Sequence, residues 1–228
     1  MLVGWDTLGA PTYRHVELPE YQAHRPPFDP EIVEQLARLP GLVESFGFAV
    51  AAAPGYEADD MLAAAATGEA AGGGAALVVT SDRDAYQLAT DRITILAPQT
   101  GGNPPARIGP AEVLERYGVH PHQVPDFIAL RGDPSDGIPG ARGIGAKTAA
   151  ALLERFGTLE DTIAARDSLT PRQTAALADE RLGLYKRIAT MDSSAPAKPP
   201  ADAWLDQARA AAFAREIGAM RLAERLTG

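Results

Sequence analysis

Two carboxylates and a run of closely spaced glycines share one seventeen-residue stretch of this sequence, GDPSDGIPGARGIGAKT at residues 132–148. Asp133 and Asp136 lie in a turn punctuated by Pro134, Gly137 and Pro139. Oxygen donors of this kind suit a hard divalent cation. Gly140, Arg142, Gly143, Ile144 and Gly145 follow as a glycine hairpin, which opens directly into an apolar-periodic helix near Lys147. A helix start presents unpaired backbone N–H groups, and glycines let another backbone approach them. With Lys147 adding a charge and Thr148 a hydroxyl, the hairpin reads as a phosphate cradle. Acids that can hold metal beside a phosphate grip are what a nuclease needs.

More acids fall where an open α/β sheet presents its ligands, outside the carboxyl ends of strands. Asp6 closes the apolar run MLVGW. Glu57, Asp59 and Asp60 follow a Pro-Gly turn after the apolar run at 48–53. Glu57 and Asp60 share a helical face and Asp59 points away by about 100°. The macrodipole also favours acids in a first turn, which accounts for one or two of them but less readily for three. Asp82 and Asp84 end the strand at 77–80. One site is therefore expected to gather Asp6, Glu57, Asp59, Asp60, Asp82 and Asp84, whose mutual repulsion calls for bound cations. With no His or Cys among them, magnesium or manganese fits best.

These residues need positioning elements. A helix is expected from Asp29 or Pro30 to Phe46, capped by Asp29 and kinked or split at Pro40-Gly41. A strand at 48–53, a helix from 57 to about 71, and strands at 77–80 and 93–96 complete an α/β pattern. The Pro/Gly/Asn-rich stretch at 98–105 is the expected boundary between lobes, with 1–105 as the α/β lobe and 106–228 as a helical lobe. Helices are expected there at 110–117, 147–156, 158–164, 171–178 and 182–189, with one or two more across 203–225. His120 and His122 flank Pro121 without a third partner at ligand spacing and read as surface residues. The proline-broken segment 11–27 interleaves aromatics with Arg14, His15, His24 and Arg25. It reads equally as an exposed loop or as a flap that touches phosphates and stacks on bases.

The chain has 228 residues, no cysteine and a net charge of −9. That excludes thiolate metal sites and a general nucleic-acid coat, but leaves a metal-dependent nuclease open. No apolar run approaches twenty residues, so a soluble, cytoplasmic protein without a membrane partner is expected.

The whole stretch at 132–148 resembles the helix–three-turn–helix element of the 5′-nuclease family, which includes flap endonucleases and the 5′→3′ exonuclease domain of bacterial DNA polymerase I. That family's pattern is GDxSDNxPGxxGIGxKTA, and this sequence departs from it chiefly at Gly137, where Asn is usual. The family patterns TGDRD and PGxEADD stand here as TSDRD and PGYEADD. A segment like TFRHE…YKAxR is matched by Arg14 and Arg25, with Gln22 where lysine is usual.

The resemblance implies a PIN-like parallel-sheet lobe with a helical lobe carrying a helix-hairpin-helix-like motif. It implies a structure-specific 5′→3′ exonuclease or flap endonuclease using two divalent ions, with potassium at the hairpin as a further implied ligand. Asp6, Glu57, Asp59, Asp60, Asp82, Asp84, Asp133 and Asp136 would serve the metals, and Arg14 and Arg25 the catalytic phosphate and the DNA. Gly140, Arg142, Gly143, Ile144, Gly145, Lys147 and Thr148 would grip duplex. Expected partners are DNA flaps, nicks and 5′ ends, and a DNA polymerase acting on the same substrates. Family members begin with an LIDG-like strand whose Asp is a principal ligand. This sequence shows no such strand, so it either starts late relative to the family or has lost it. With Gln22, that loss makes a catalytically weak or inactive structure-specific DNA-binding module the alternative reading. A PIN-type ribonuclease is a third reading, but such small domains lack a second lobe.

Overall fold

A computed structural model describes residues 1–228. In chain order its elements are β1 (Leu2–Gly4), α1 (Tyr13–Glu17), α2 (Pro30–Leu36), α3 (Leu39–Ser45), β2 (Ala49–Ala51) and α4 (Ala58–Ala71). Then come β3 (Ala76–Val79), a 3₁₀ turn (Asp84–Leu88), β4 (Ile93–Ala97), β5 (Ala106–Ile108), α5 (Pro110–Tyr117) and α6 (Val124–Arg131). The remaining helices are α7 (Ala146–Phe156), α8 (Leu159–Ala164), α9 (Pro171–Ala176), α10 (Leu182–Ala189), α11 (Gln207–Glu216) and α12 (Met220–Thr227). By contacts they fall into two units. One comprises Met1–Thr12, Pro26–Gly68 and Asp192–Gly228, the other Tyr13–Arg25 and Glu69–Met191. No helix is long and apolar enough to cross a membrane.

In the first unit β1 and β2 pair in parallel, Leu2 opposite Ala49 and Gly4 opposite Ala51. Gly4 is required because a Cβ there would stand 2.5 Å from the Ala58 carbonyl oxygen, where α4 begins. The expected helix at 29/30–46 is two helices. Asp29 accepts from the Glu31 N–H and Pro30 opens α2, while Pro40 sits in the first turn of α3, where its missing N–H costs nothing. Met61 and Ala64 of α4 form a small core with Ala195, packed by Ala51, Ala53 and Tyr56.

In the second unit β3 and β4 are parallel and β4 and β5 antiparallel. The Pro/Gly stretch at 98–105 thus lies inside a hairpin of one sheet, Ala97 pairing with Ala106, and is no linker between separate lobes. Proline and paired glycines that read as a domain break serve here as a strand reversal. β3 is an edge of this sheet, with Leu77 and Val79 58% and 61% exposed.

The core of the second unit gathers around α6, whose residues from Val124 to Leu130 are all buried and which packs against α7, α8 and α10. Gln123 donates to the carbonyls of Leu153 (3.1 Å) and Gly157 (2.7 Å), tying the entry of α6 to the end of α7. Lys186 lies 2.7 Å from both Asp126 and Glu160, and Asp126 also accepts from the Leu159 N–H.

The turn after α6 folds back on itself. Asp133 and Ile138 exchange two backbone hydrogen bonds of 2.8 Å, and the Ala141 N–H returns to the Leu130 carbonyl at 2.9 Å. Gly132 and Gly140 both have positive φ, +79° and +69°, and meet backbone to backbone. A Cβ on Gly140 would lie 2.2 Å from the Gly132 nitrogen. Gly140→Ala should therefore destabilise the protein by about 3 kcal/mol or more. Gly145→Ala meets nothing within 4 Å and should be close to neutral by comparison. Urea unfolding of both variants checks the contrast.

Candidate active site and nucleic-acid interface

β3 delivers the first pair of acids in the second unit. Thr80 Oγ1 accepts from the Asp82 N–H at 3.0 Å, and Asp82 Oδ1 accepts from the Asp84 N–H at 2.8 Å, so the TSDRD sequence coils into its own turn. Gln87 then anchors that turn. Its amide nitrogen donates to the Asp84 and Ala189 carbonyls, both at 2.9 Å, and its oxygen accepts from the Met191 N–H at 2.9 Å. Nothing in composition or spacing pointed to Gln87; only the fold brings its partners together.

Asp133 and Asp136 join this pair electrostatically. Burial first, and then the charges of Asp82, Asp136 and Asp133, together push Asp84 up from 3.8 to about 8, against a lowering pull from Arg131. Burial likewise raises Asp136, opposed by the Gln22 hydrogen bond and the Arg25 charge. Asp133 is well occupied: one oxygen accepts from the Ser135 N–H (2.8 Å) and hydroxyl, the other from Arg131 at 3.2 Å. Arg131 in turn lies over the rings of Phe127 (5.2 Å) and Tyr117 (5.8 Å), which stack on each other at 5.3 Å. It is a counter-charge that sequence reading missed, because its value depends on that aromatic shelf.

Asp136 is held by the segment before α2. Gln22 Nε2 donates to Asp136 Oδ1 at 2.9 Å, and the Gln22 N–H to the Asp136 carbonyl at 2.9 Å. Arg25 reaches the same Oδ1 at 2.8 Å and the Ser135 carbonyl at 3.2 Å. Gln22 has φ +51°, the sole non-glycine residue with positive φ, and such strain collects at functional sites. Gly137, where the family pattern has Asn, combines φ +73° with a close approach: a Cβ would stand 2.6 Å from the Glu20 carbonyl oxygen.

The first unit holds the other four acids. Asp6 Oδ1 accepts from the Ala58 N–H at 2.7 Å, at the start of α4, and Glu57 accepts from the Thr12 hydroxyl at 3.0 Å. Asp59 lies in the first turn of α4. Asp60 is wholly buried, its two oxygens accepting from the N–H groups of Glu57 (3.0 Å) and Asp192 (2.8 Å). Through these two contacts Asp60 also ties the start of α4 to the turn at 192. The eight acids thus stand four to each unit, and within neither unit do three of them close into a ready ligand set.

A further expectation is corrected. Arg14 is buried, 3% exposed, and donates to the carbonyls of Ile188 (2.9 Å) and Thr190 (3.2 Å) at the end of α10, which makes it a fold residue and not a phosphate contact. Ile144 is buried beneath the hairpin, so it anchors the loop from below. Arg142, Gly143, Gly145 and Lys147 are exposed and Thr148 is partly so. Gly143 has φ +83°, and no side chain caps the N-terminus of α7 at Gly145. That leaves the first N–H groups of α7 facing outward for an anion.

The raised Asp84 makes a pH prediction. The native state keeps a proton that the unfolded chain releases near the ordinary 3.8, so without divalent metal stability should fall as pH rises from 3.8 to about 8. Asp84→Asn should flatten that slope and be more stable than the parent at pH 8 by about 1–3 kcal/mol. Denaturant titrations in chelator across this range check it.

Two families of known sequence match this chain. The one described as 5′-3′ exonuclease, N-terminal resolvase-like domain, covers residues 1–118, and the one described as 5′-3′ exonuclease, C-terminal SAM fold, covers residues 119–211. The thermostable DNA polymerase I of Thermus thermophilus is 42% identical over 180 residues, 77% of this chain and 21% of that protein. DNA polymerase I of Mycobacterium bovis is 41% identical over 152 residues, 67% of this chain and 17% of that protein. The chain thus spans about a fifth of the length of these relatives. In fold it is similar to the bacteriophage T5 flap endonuclease, solved as a pseudo-enzyme-product complex with DNA and metal ions, with TM-score 0.68, 21% identity, and 97% and 79% of the two chains covered. It is also similar to the catalytic core of Rad2 in complex with DNA substrate, with TM-score 0.60, 13% identity, and 99% and 77% covered. With both family descriptions matched in succession along its length, the chain belongs to the 5′-3′ exonuclease family.

Proposed function

We infer that this chain hydrolyses DNA phosphodiester bonds as a structure-specific 5′→3′ exonuclease and flap endonuclease dependent on divalent metal. The observation that carries this reading is the group Asp82, Asp84, Asp133 and Asp136 in the second unit, whose mutual charge helps to hold Asp84 near pH 8. Acids buried together in this way fit cations as their counterpart. Asp82, Asp84 and Asp136 would close around magnesium or manganese only as the cation offsets their repulsion, and Asp6, Glu57, Asp59 and Asp60 are the further acids that the family pattern implies. When bound, such ions lower the pKa of water and neutralise charge on a phosphoryl oxygen.

The chain's own residues do the rest. Arg25 and Gln22 fix the rotamer of Asp136, Arg131 fixes Asp133, and Gln87 fixes the backbone of Asp84. The exposed hairpin, with Lys147, would take duplex phosphates, with potassium as a further ligand there. Backbone contacts position without reading sequence, so selection should follow nicks, flaps and 5′ ends. On this reading residues 1–105 carry most of the acids, and 106–228 carry the grip with the two remaining ones. A polymerase acting on the same substrate would be the partner, a reading that the polymerase relatives support, and the cytoplasm would be the site of action.

One observation favours a second reading. Gln22 gives Asp136 a neutral amide where the family pattern has lysine. A chain short of that cation would bind structured DNA and cut it slowly. A labelled 5′-flap duplex with magnesium or manganese separates the two: cleavage supports the enzyme, retention without cleavage the binding module. Asp82→Ala/Asp84→Ala should abolish calorimetric metal binding and lower cleavage by about 10²-fold or more. Metal affinity unchanged in that double variant would refute the assignment of these acids.

A further inference from the structure

Arg172 stands second in α9, on backbone that is fixed from both sides. Thr170 and Gln173 cap the helix reciprocally, the Thr170 N–H donating to Gln173 Oε1 at 3.0 Å and the Gln173 N–H to Thr170 Oγ1 at 3.3 Å. Pro171 between them sets its own φ. The guanidinium so placed lies against the hairpin at Gly143. A Cβ on that glycine would stand 3.2 Å from Arg172 Nη2 and 3.6 Å from Nε.

The charge of this side chain is unspent. Several cations of the same unit are paired: Arg25 with Asp136, Arg131 with Asp133, Lys186 with Asp126 and Glu160, Arg187 with Glu17. Arg172 is exposed and has no carboxylate or carbonyl partner, and the exposed Arg142 and Lys147 nearby in the hairpin have none either. In a chain of net charge −9, three such cations around one glycine loop form a local basic surface. Arginine's planar fork matches a phosphate in a way that a point charge does not.

We propose that Arg172 is a DNA-backbone contact that extends the hairpin grip, its guanidinium taking a duplex phosphate beside Gly143. The inference rests on the reading of the hairpin as the duplex grip and adds a residue outside the hairpin sequence to it. Gly143 is favoured by its positive φ, and its missing side chain leaves the guanidinium room beside the hairpin.

Binding of a nicked duplex, measured by anisotropy in chelator over a series of salt concentrations, tests the proposal with Arg172→Ala, Arg172→Lys and Lys147→Ala. Arg172→Ala should weaken binding about 5- to 10-fold and lower the salt slope by about 0.9, one phosphate contact. Arg172→Lys should restore most of the slope, since the charge is kept. If Lys147→Ala weakens binding while Arg172→Ala binds like the parent with an unchanged slope, this inference fails and the hairpin reading stands. If both variants bind like the parent, the hairpin reading fails and carries this one with it. A loss of affinity in Arg172→Ala at an unchanged salt slope means disturbed folding in place of a lost phosphate contact, and overturns the proposal as well.

Discussion

Like-charge repulsion is the constraint around which the second unit is built. Asp82, Asp84, Asp133 and Asp136 are close enough that burial and mutual charge leave Asp84 protonated at neutral pH. A unit that gathers four acids in one place must oppose their repulsion with something other than solvent. Here the opposition is specific: Arg131 to Asp133, Arg25 and Gln22 to Asp136, and backbone N–H groups to Asp82 and Asp133. Each contact also removes a rotational freedom from the acid it serves. The device that makes the cluster tolerable is thus the device that aims it.

The turn at 132–140 shows how the two functional halves are linked within this unit. Gly132 and Gly140 close on each other with positive φ, and the strand-like exchange between Asp133 and Ile138 fixes the loop that carries both acids. Ala141 is tied to the end of α6, and Ile144 is buried below it, so the exposed part of the hairpin is short. A rigid loop presenting few backbone groups loses little entropy on meeting a phosphate. It also transmits the position of α6 to the acids on one side and to the grip on the other.

Much of this was legible in the sequence where function and local backbone chemistry coincide. The TSDRD turn caps itself, Pro30 and Pro40 open helices, and glycines mark the hairpin, all short-range effects that spacing exposes. What sequence could not give depends on tertiary partners. Arg14 carries the composition of a phosphate contact, yet it is buried against two carbonyls 174 and 176 residues away. Residues 98–105 have the composition of a linker, yet β5 returns to pair with β4. In each case a residue type compatible with two uses was decided by contacts far along the chain.

Gln22 shows the interplay most directly. A lysine in its place would bring a mobile cation to the acids; glutamine brings a neutral amide, fixed by Asp136 and by the Tyr21 hydroxyl at 2.9 Å. Arg25, the arginine that the family pattern also has, reaches the same oxygen of Asp136 from three residues further on. Arg25 is largely exposed, with half of its side chain in solvent, so its charge is screened and its pull on Asp136 is weaker than a buried cation's would be. Arg131, stacked on Phe127 and Tyr117, is less exposed and acts on Asp133 and Asp84 through a drier path. The balance of positive charge is therefore shifted away from the position the family pattern expects and toward the end of α6. A site balanced in that way favours holding its acids in place over delivering a mobile cation to a scissile phosphate, and this is the physical content of the slower-enzyme reading.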